Sequence, residues 1–192
     1  MKKIVVCASG RGSNFEALVK ASQKNFFEAE IIALITNNKE VRALDIAKNS
    51  KINHFVISDH QKLFEKLKEL NPDLIVLAGY MRVLPHNIVA AFRNKIINIH
   101  PSLLPSFPGI HAQKQAMERG VKISGCTVHF VDEGVDHGPI ILQSALPVQD
   151  SDTLDSLSER ILEKEHDILC EAVKLYCENK LVVHGCKVYI EN

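Results

Sequence analysis

What most limits the folds open to this chain is the alternation, through its first hundred residues, of short runs rich in Ile and Val with helical patterns. Lys3–Cys7, Glu30–Ile35, Asn53–Val56, Asp73–Ala78 and Lys95–Ile99 read as strands buried on both faces, too short to be helices. Helical patterns begin at Asn14, near Val41, at Gln61 and after Leu84, filling the intervals. Parallel neighbours need a crossover between them, and a helix in each interval supplies it. The expected class is therefore α/β: a doubly wound, mostly parallel sheet with helices on both faces.

Past Pro101 the pattern changes. A Pro-rich loop leads to a short helix around Ala112–Arg119. Two β runs follow, Ile123–Val131 and Ile140–Pro147, separated by the turn-rich stretch Asp132-Glu-Gly-Val-Asp-His-Gly-Pro139 and predicted to pair antiparallel. A long amphipathic helix is expected from about Thr153 to Glu178, with Ser151 or Asp152 as its N-cap, and a last hairpin over Leu181–Ile190. No repeat, linker or low-complexity stretch divides the chain, so all 192 residues read as one domain, with residues 1–100 and 101–192 as its two halves.

Charge narrows the partners. Lys plus Arg and Asp plus Glu number 23 each, leaving no overall field to draw in a nucleic acid or a membrane surface, and a small ligand fits better. Five scattered cysteines, Cys7, Cys126, Cys170, Cys177 and Cys186, form neither a CxxC pair nor a disulfide framework, which suits a reducing cytoplasm. The apolar run before Gly10 is too brief for a signal sequence or a membrane span.

Directly after the first strand comes Ser9-Gly10-Arg11-Gly12-Ser13-Asn14 and then a helix. In a doubly wound sheet this turn lies at the carboxyl edge, where ligands bind. Glycines let the backbone approach an anion, and the free N–H groups of the helix start, with Ser13 and Asn14, can donate to phosphate oxygens. The turn is not a dinucleotide fingerprint, since Phe15 stands in the third glycine's place, and it lacks the Walker lysine. An ordinary glycine turn with a Ser/Asn cap would read the same way. At the end of the fifth strand, alternation puts Asn98 and His100 on one face with Ile99 on the other, so two polar groups converge at the same edge.

Two long segments carry a resemblance. Asn98-Ile-His-Pro-Ser-Leu-Leu-Pro105 and Gly125-Cys-Thr-Val-His-Phe-Val-Asp-Glu-Gly-Val-Asp136-His-Gly-Pro139 closely resemble the formyltetrahydrofolate-dependent formyltransferases. The likeness extends from Ser9–Asn14 through Ala78-Gly79-Tyr80-Met81-Arg82-Val83-Leu84 to Glu165-His166. Within that family, Ser102-Leu-Leu-Pro-Ser-Phe-Pro-Gly109-Ile-His111-Ala-Gln-Lys-Gln115-Ala116 is similar to the branch that formylates glycinamide ribonucleotide. Sister branches that formylate methionyl-tRNA or hydrolyse formyltetrahydrofolate carry a further C-terminal or N-terminal domain, for which this chain is expected to have no room.

The resemblance implies 10-formyltetrahydrofolate as co-substrate, no metal, and a monomer or weak homodimer in the cytoplasm. It implies that Asn98, His100 and Asp136 are catalytic and that Gly12, Ser13 and Asn14 hold the substrate phosphate. Glu165 would meet the ribose hydroxyls and His111 the glycinamide end, while Met81, Arg82, Val83, Leu84 and Asn98 would lie against the folate. It also implies a cis peptide at Leu104–Pro105, and it assigns no residue to the folate's glutamate tail, because His60-Gln61-Lys62 stands where some members carry an arginine. Formyl transfer to an amine passes through a tetrahedral intermediate with a developing oxyanion. Asn98 is a neutral donor for it, His100 a donor that can also protonate the departing nitrogen, and Asp136 would favour the charged imidazole and accept the amine proton. Two rivals belong to other classes: a zinc hydrolase using His100, His111, His129, Asp136 and His137, whose spacing is poor for a metal, and a nucleotide-binding module needing only the Gly12 turn.

Overall fold

The structure is a computed structural model, and it describes residues 1–191. Five parallel strands form its first part: β1 (Lys2–Cys7), β2 (Ala29–Thr36), β3 (Asn53–Val56), β4 (Leu74–Leu77) and β5 (Ile96–His100). Helices α1 (Ser13–Gln23), α2 (Arg42–Asn49), α3 (His60–Leu70) and α4 (His86–Ala91) make the crossovers. Then come α5 (Ala112–Glu118), β6 (Ile123–Phe130), β7 (Ile140–Pro147), α6 (Leu154–Cys177), β8 (Leu181–His184) and β9 (Lys187–Ile190). All nine strands join one sheet in the order β3-β2-β1-β4-β5-β6-β7-β9-β8. The α/β, doubly wound, mostly parallel class read from the sequence is the one found, and the runs Ile123–Val131 and Ile140–Pro147 do pair antiparallel, as β6 and β7.

Alternation along the strands sorts the core into two layers. Ile4 and Val6 of β1 and Leu74 and Val76 of β4, with Ala8 and Ala78 just past their ends, pack with α1, α2 and α6 on one face. Val5, Cys7, Ile75 and Leu77 pack with α3 and α4 on the other. Ile97 and Ile99 of β5 belong to the first layer, so Asn98 and His100 face the side of α3 and α4. β6 continues the pattern: Cys126, Val128 and Phe130 face α6, and Thr127 and His129 turn to the side of Asn98 and His100. On that side, at the carboxyl end of β5, the loop after Pro101 packs against the two strands through bonds to His100 and Thr127.

Two expectations need correcting. β3 is not buried on both faces: Asn53, His54 and Val56 are exposed, because it is an edge strand hydrogen-bonded only to β2. The long helix is capped by Thr153, not by Ser151 or Asp152. Thr153 accepts from the Ser156 N–H at 3.2 Å while the Ser156 hydroxyl accepts from the Thr153 N–H at 3.0 Å, a reciprocal capping box. Asp152 instead closes the preceding turn, accepting from Gln149 N–H at 2.8 Å and from Arg160 at 2.6 Å. No helix of the described residues is long and apolar enough to cross a membrane.

Thr153→Ala removes one half of the capping box and should lower unfolding stability by about 1 kcal/mol in urea titration without shifting Asn98 and His100, which face away from α6. A loss below a few tenths would mean that water replaces the cap at no cost.

Candidate active site

The carboxyl ends of β1, β4 and β5 open into a cleft of about 540 Å³. The residues singled out from the sequence all line it: Gly12, Ser13 and Asn14 at one end, Met81, Arg82, Val83 and Leu84 along one wall, and Asn98, His100, His111, Asp136 and Glu165 between them. Such concave sites at the strand ends of doubly wound sheets are the usual place for a small ligand.

At the phosphate-like end, Gly12 stands just before α1 with φ 75°, and a side chain there would come within 2.8 Å of the Ala43 Cβ. Both facts require glycine. No side chain caps α1, so its first N–H groups point free into the cleft, next to the half-buried Ser13. The Asn14 amide is committed elsewhere: Nδ2 donates to Glu165 Oε2 at 2.7 Å, fastening α1 to α6, and its Oδ1 is buried without a partner. A phosphate here would thus meet backbone N–H groups and the Ser13 hydroxyl rather than the Asn14 side chain. Burial pushes the Glu165 carboxyl up to about 7, and the bond from Asn14 only partly offsets this.

At the centre, Asp136 gathers groups from three segments. Its Oδ2 accepts from the Gly109 N–H at 2.7 Å and lies 3.2 Å from His100 Nδ1. Its Oδ1 accepts from Asn98 Nδ2 at 3.3 Å and lies 3.6 Å from His129 Nε2. Burial alone would raise its pKa, but the His129 ring, the Gly109 N–H and the nearby His100 outweigh burial and hold it below the ordinary range, so Asp136 stays ionised at neutral pH.

His100 is held at both nitrogens, with Nε2 donating to the Phe107 carbonyl at 2.9 Å and Nδ1 facing Asp136. Burial pulls its pKa below the ordinary value; the Phe107 carbonyl and Asp136 push back without winning. Asp136 favours the charged imidazole, as the sequence reading expected, but desolvation is the larger effect. A neutral ring satisfies only one of its two acceptors, whereas the imidazolium satisfies both, so the second proton is held in place and readily surrendered. That is the behaviour of a general acid.

His129 is the residue that sequence reasoning left outside the site. Its Nδ1 donates to the Phe130 carbonyl at 2.8 Å, and Nε2 lies 3.2 Å from Asn98 Nδ2. With its hydrogen on Nδ1, the ring accepts from Asn98 Nδ2 at Nε2, which lies 3.6 Å from Asp136 Oδ1. The signal was the pairing of β5 with β6, which sets Asn98 opposite His129. The Asn98 amide therefore has both hydrogens engaged within the protein, and turning it over would set its oxygen against the carboxylate. His111, at φ 59°, is exposed just before α5 at the cleft mouth. Met81 and Val83 are 76% and 67% exposed along the wall, an unusual exposure for apolar side chains that a ligand would cover. Arg82 instead donates to the Ser58 carbonyl. His137 lies outside the cluster, exposed and paired with Asp132 at 2.8 Å. The Leu104–Pro105 peptide is cis. Among the described residues no three His, Cys, Asp or Glu side chains gather as a metal-holding group.

Comparison with known proteins finds one family over most of the chain. The family described as formyl transferase matches residues 2–173. The phosphoribosylglycinamide formyltransferase of Bacillus subtilis (strain 168) is 42% identical over 175 residues, covering 86% of this chain and 90% of that protein. The trifunctional purine biosynthetic protein adenosine-3 of Drosophila melanogaster is 46% identical over 86% of this chain, which spans only 13% of that longer protein. The crystal structure of glycinamide ribonucleotide transformylase 1 from Symbiobacterium toebii superposes with a TM-score of 0.98 at 41% identity, covering 100% of this chain and 95% of that one.

Because its pKa is raised to about 7, Glu165 stabilises the fold at low pH, and that contribution is lost as pH rises through about 7. Glu165→Gln removes the titration. Its unfolding midpoint relative to the unmodified protein should therefore improve between about pH 4.5 and about pH 7 and level off above that; a pH-independent difference would show that the carboxyl is not titrating in the cleft.

Proposed function

The chain belongs to the formyl transferase family, and on that premise we propose that it transfers the formyl group of 10-formyltetrahydrofolate to the amine of glycinamide ribonucleotide, a step of purine synthesis. The observation that carries this reading is the meeting of Asn98, His100 and Asp136 in one cleft with the free N-terminus of α1 and the exposed apolar wall at Met81 and Val83. An anion, an amine and a flat, largely apolar co-substrate each find a matching surface there.

In this reading the substrate phosphate sits at Gly12, Ser13 and the start of α1, the ribose hydroxyls reach Glu165, and the glycinamide end points past His111 toward Asp136. The folate lies against Met81, Arg82, Val83 and Leu84. The amine nitrogen attacks the formyl carbon, the carbonyl electrons move onto oxygen, and the resulting oxyanion takes hydrogen bonds from His100 and Asn98. Since both Asn98 hydrogens are engaged at rest, one leaves its protein partner as the oxyanion forms. Asp136, ionised at rest, takes the ammonium proton directly or through a water. Collapse of the intermediate then breaks the bond to the folate nitrogen, which receives the His100 proton, so the products are a formamide and tetrahydrofolate. We further place this work in the cytoplasm, in a monomer or weak homodimer with no nucleic-acid or membrane partner.

Formyl transfer followed by absorbance tests the reading. Relative to the unmodified chain, His100→Ala and Asp136→Asn should each lose about a hundredfold or more in kcat, with the affinity for glycinamide ribonucleotide little changed. Asparagine tolerates the φ of 50° at position 136, so Asp136→Asn should still fold. Formate release without transfer would keep the folate site and move the acceptor from this amine to water.

A further inference from the structure

Ser102 is fully buried, immediately beyond the strand that carries Asn98 and His100, and it takes no part in the chemistry above. A buried serine side chain fills scarcely more space than alanine, so its hydroxyl needs a reason. The Oγ lies 2.5 Å from the Ser106 carbonyl and 3.3 Å from the Phe107 carbonyl, and its single hydrogen serves the first with the second beside it. The Phe107 carbonyl is the acceptor of His100 Nε2. Phe107 holds φ 55°, the left-handed region that an aromatic residue rarely enters, so the carbonyl is aimed at the imidazole from a backbone that would relax if unconstrained.

What constrains it is anchored to β6. The Ser102 carbonyl accepts from Thr127 Oγ1 at 2.7 Å, and Thr127 lies opposite His100 in the β5–β6 register. Thr127 Oγ1 accepts in turn from the Leu104 N–H and from Gln143 Nε2, each at 3.0 Å. Ser102 is the one link in this chain that touches both the anchored strand and the carbonyl pair of the loop.

We propose that Ser102 is a positioning residue for His100: by holding the Ser106 and Phe107 carbonyls it keeps the Phe107 oxygen on Nε2 and so fixes which imidazole nitrogens carry protons. With Nε2 committed to that carbonyl, the proton toward Asp136 on Nδ1 is the one free to leave. This extends the reading of His100 as the acid of formyl transfer and rests on it.

Nitrogen-15 NMR of histidine-labelled protein tests the claim, with the His100 signals identified by their loss in His100→Ala. Ser102→Ala should mix the Nε2–H and Nδ1–H forms of His100, lower its pKa, move the limb of the rate profile that needs protonated His100 to lower pH, and reduce kcat about tenfold while both KM values change by no more than about twofold. Ser102→Cys keeps a γ atom with a hydrogen, somewhat larger, replaces a strong donor with a weak one, and should behave alike. Gln143→Leu removes the tie of the same loop to β7, where Gln143 Nε2 donates to the Leu104 carbonyl at 2.9 Å, keeps the bonds between Thr127 and the loop, leaves the Ser102 hydroxyl untouched, and should leave the His100 signals unchanged. Unchanged His100 signals and rate profile in both Ser102 variants, or the same shift in Gln143→Leu, would overturn the proposal. Full turnover in His100→Ala would instead remove the acid role, leaving the NMR result to decide the Ser102 coupling alone.

Discussion

The carboxylate of Asp136 is the contact on which the rest of the site depends. Asn98, His100 and His129 bring polar groups to a side of β5 and β6 that is largely shut off from water, and the strand backbones cannot satisfy them. Asp136 supplies the missing acceptor and takes the Gly109 N–H as well. The dependence runs both ways, since the carboxylate stays ionised in a half-buried place only because these donors surround it. Removing any one partner leaves another unpaired, so the effects of mutations here will not add.

Holding a carboxylate at that point limits the backbone around it. Asp136 sits at φ 50°, and Gly138 two residues later leaves no room for a side chain, since a Cβ would stand 1.9 Å from the Phe130 carbonyl. The turn between β6 and β7 is therefore folded back onto the strand it leaves, which returns Asp136 to His129 across one hairpin. Opposite it, the loop after Pro101 supplies the Phe107 carbonyl and the Gly109 N–H. The sheet changes from parallel to antiparallel at β5–β6, and there a pair of loops packs against the strands. A doubly wound sheet thus turns the end of its parallel run into a polar chamber beside an apolar core.

Most of this was legible in the residues, and the gaps have physical causes. The strands and crossovers show because the burial of β1, β2, β4 and β5 leaves apolar runs with little alternation. β3 has only four residues, and the polar Asn53-His54 at its start, unlike the apolar runs of the other strands, was the one sign of an edge. The N-cap of α6 was off by one or two positions because Ser151, Asp152 and Thr153 are all good caps, and only the reciprocal bond with Ser156 selects among them. Asn98, His100 and Asp136 stood out through alternation and resemblance. His129 did not, because its place depends on the register of β6 against β5, and register is a property of two segments. The commitment of Asn14 to Glu165, 151 residues away, was equally invisible along the chain.

Two of the carboxylates that line the cleft have surroundings that drive them in opposite directions. Asp136 has several donors and is held down; Glu165 has one, from Asn14, and is pushed up to about 7. Burial opposes ionisation at both; several donors overcome it at half-buried Asp136, while a single donor does not at the more deeply buried Glu165. A group kept charged suits taking a proton from an ammonium, whereas one balanced between forms near neutrality can either accept from a hydroxyl or donate to one. The unmet Asn14 Oδ1 beside Glu165 fits that balance, since a protonated Glu165 would carry a hydrogen in a region where an acceptor stands unused. The division of labour between the two ends of the cleft therefore follows from how many N–H groups the fold delivers to each carboxylate and how deeply it buries them.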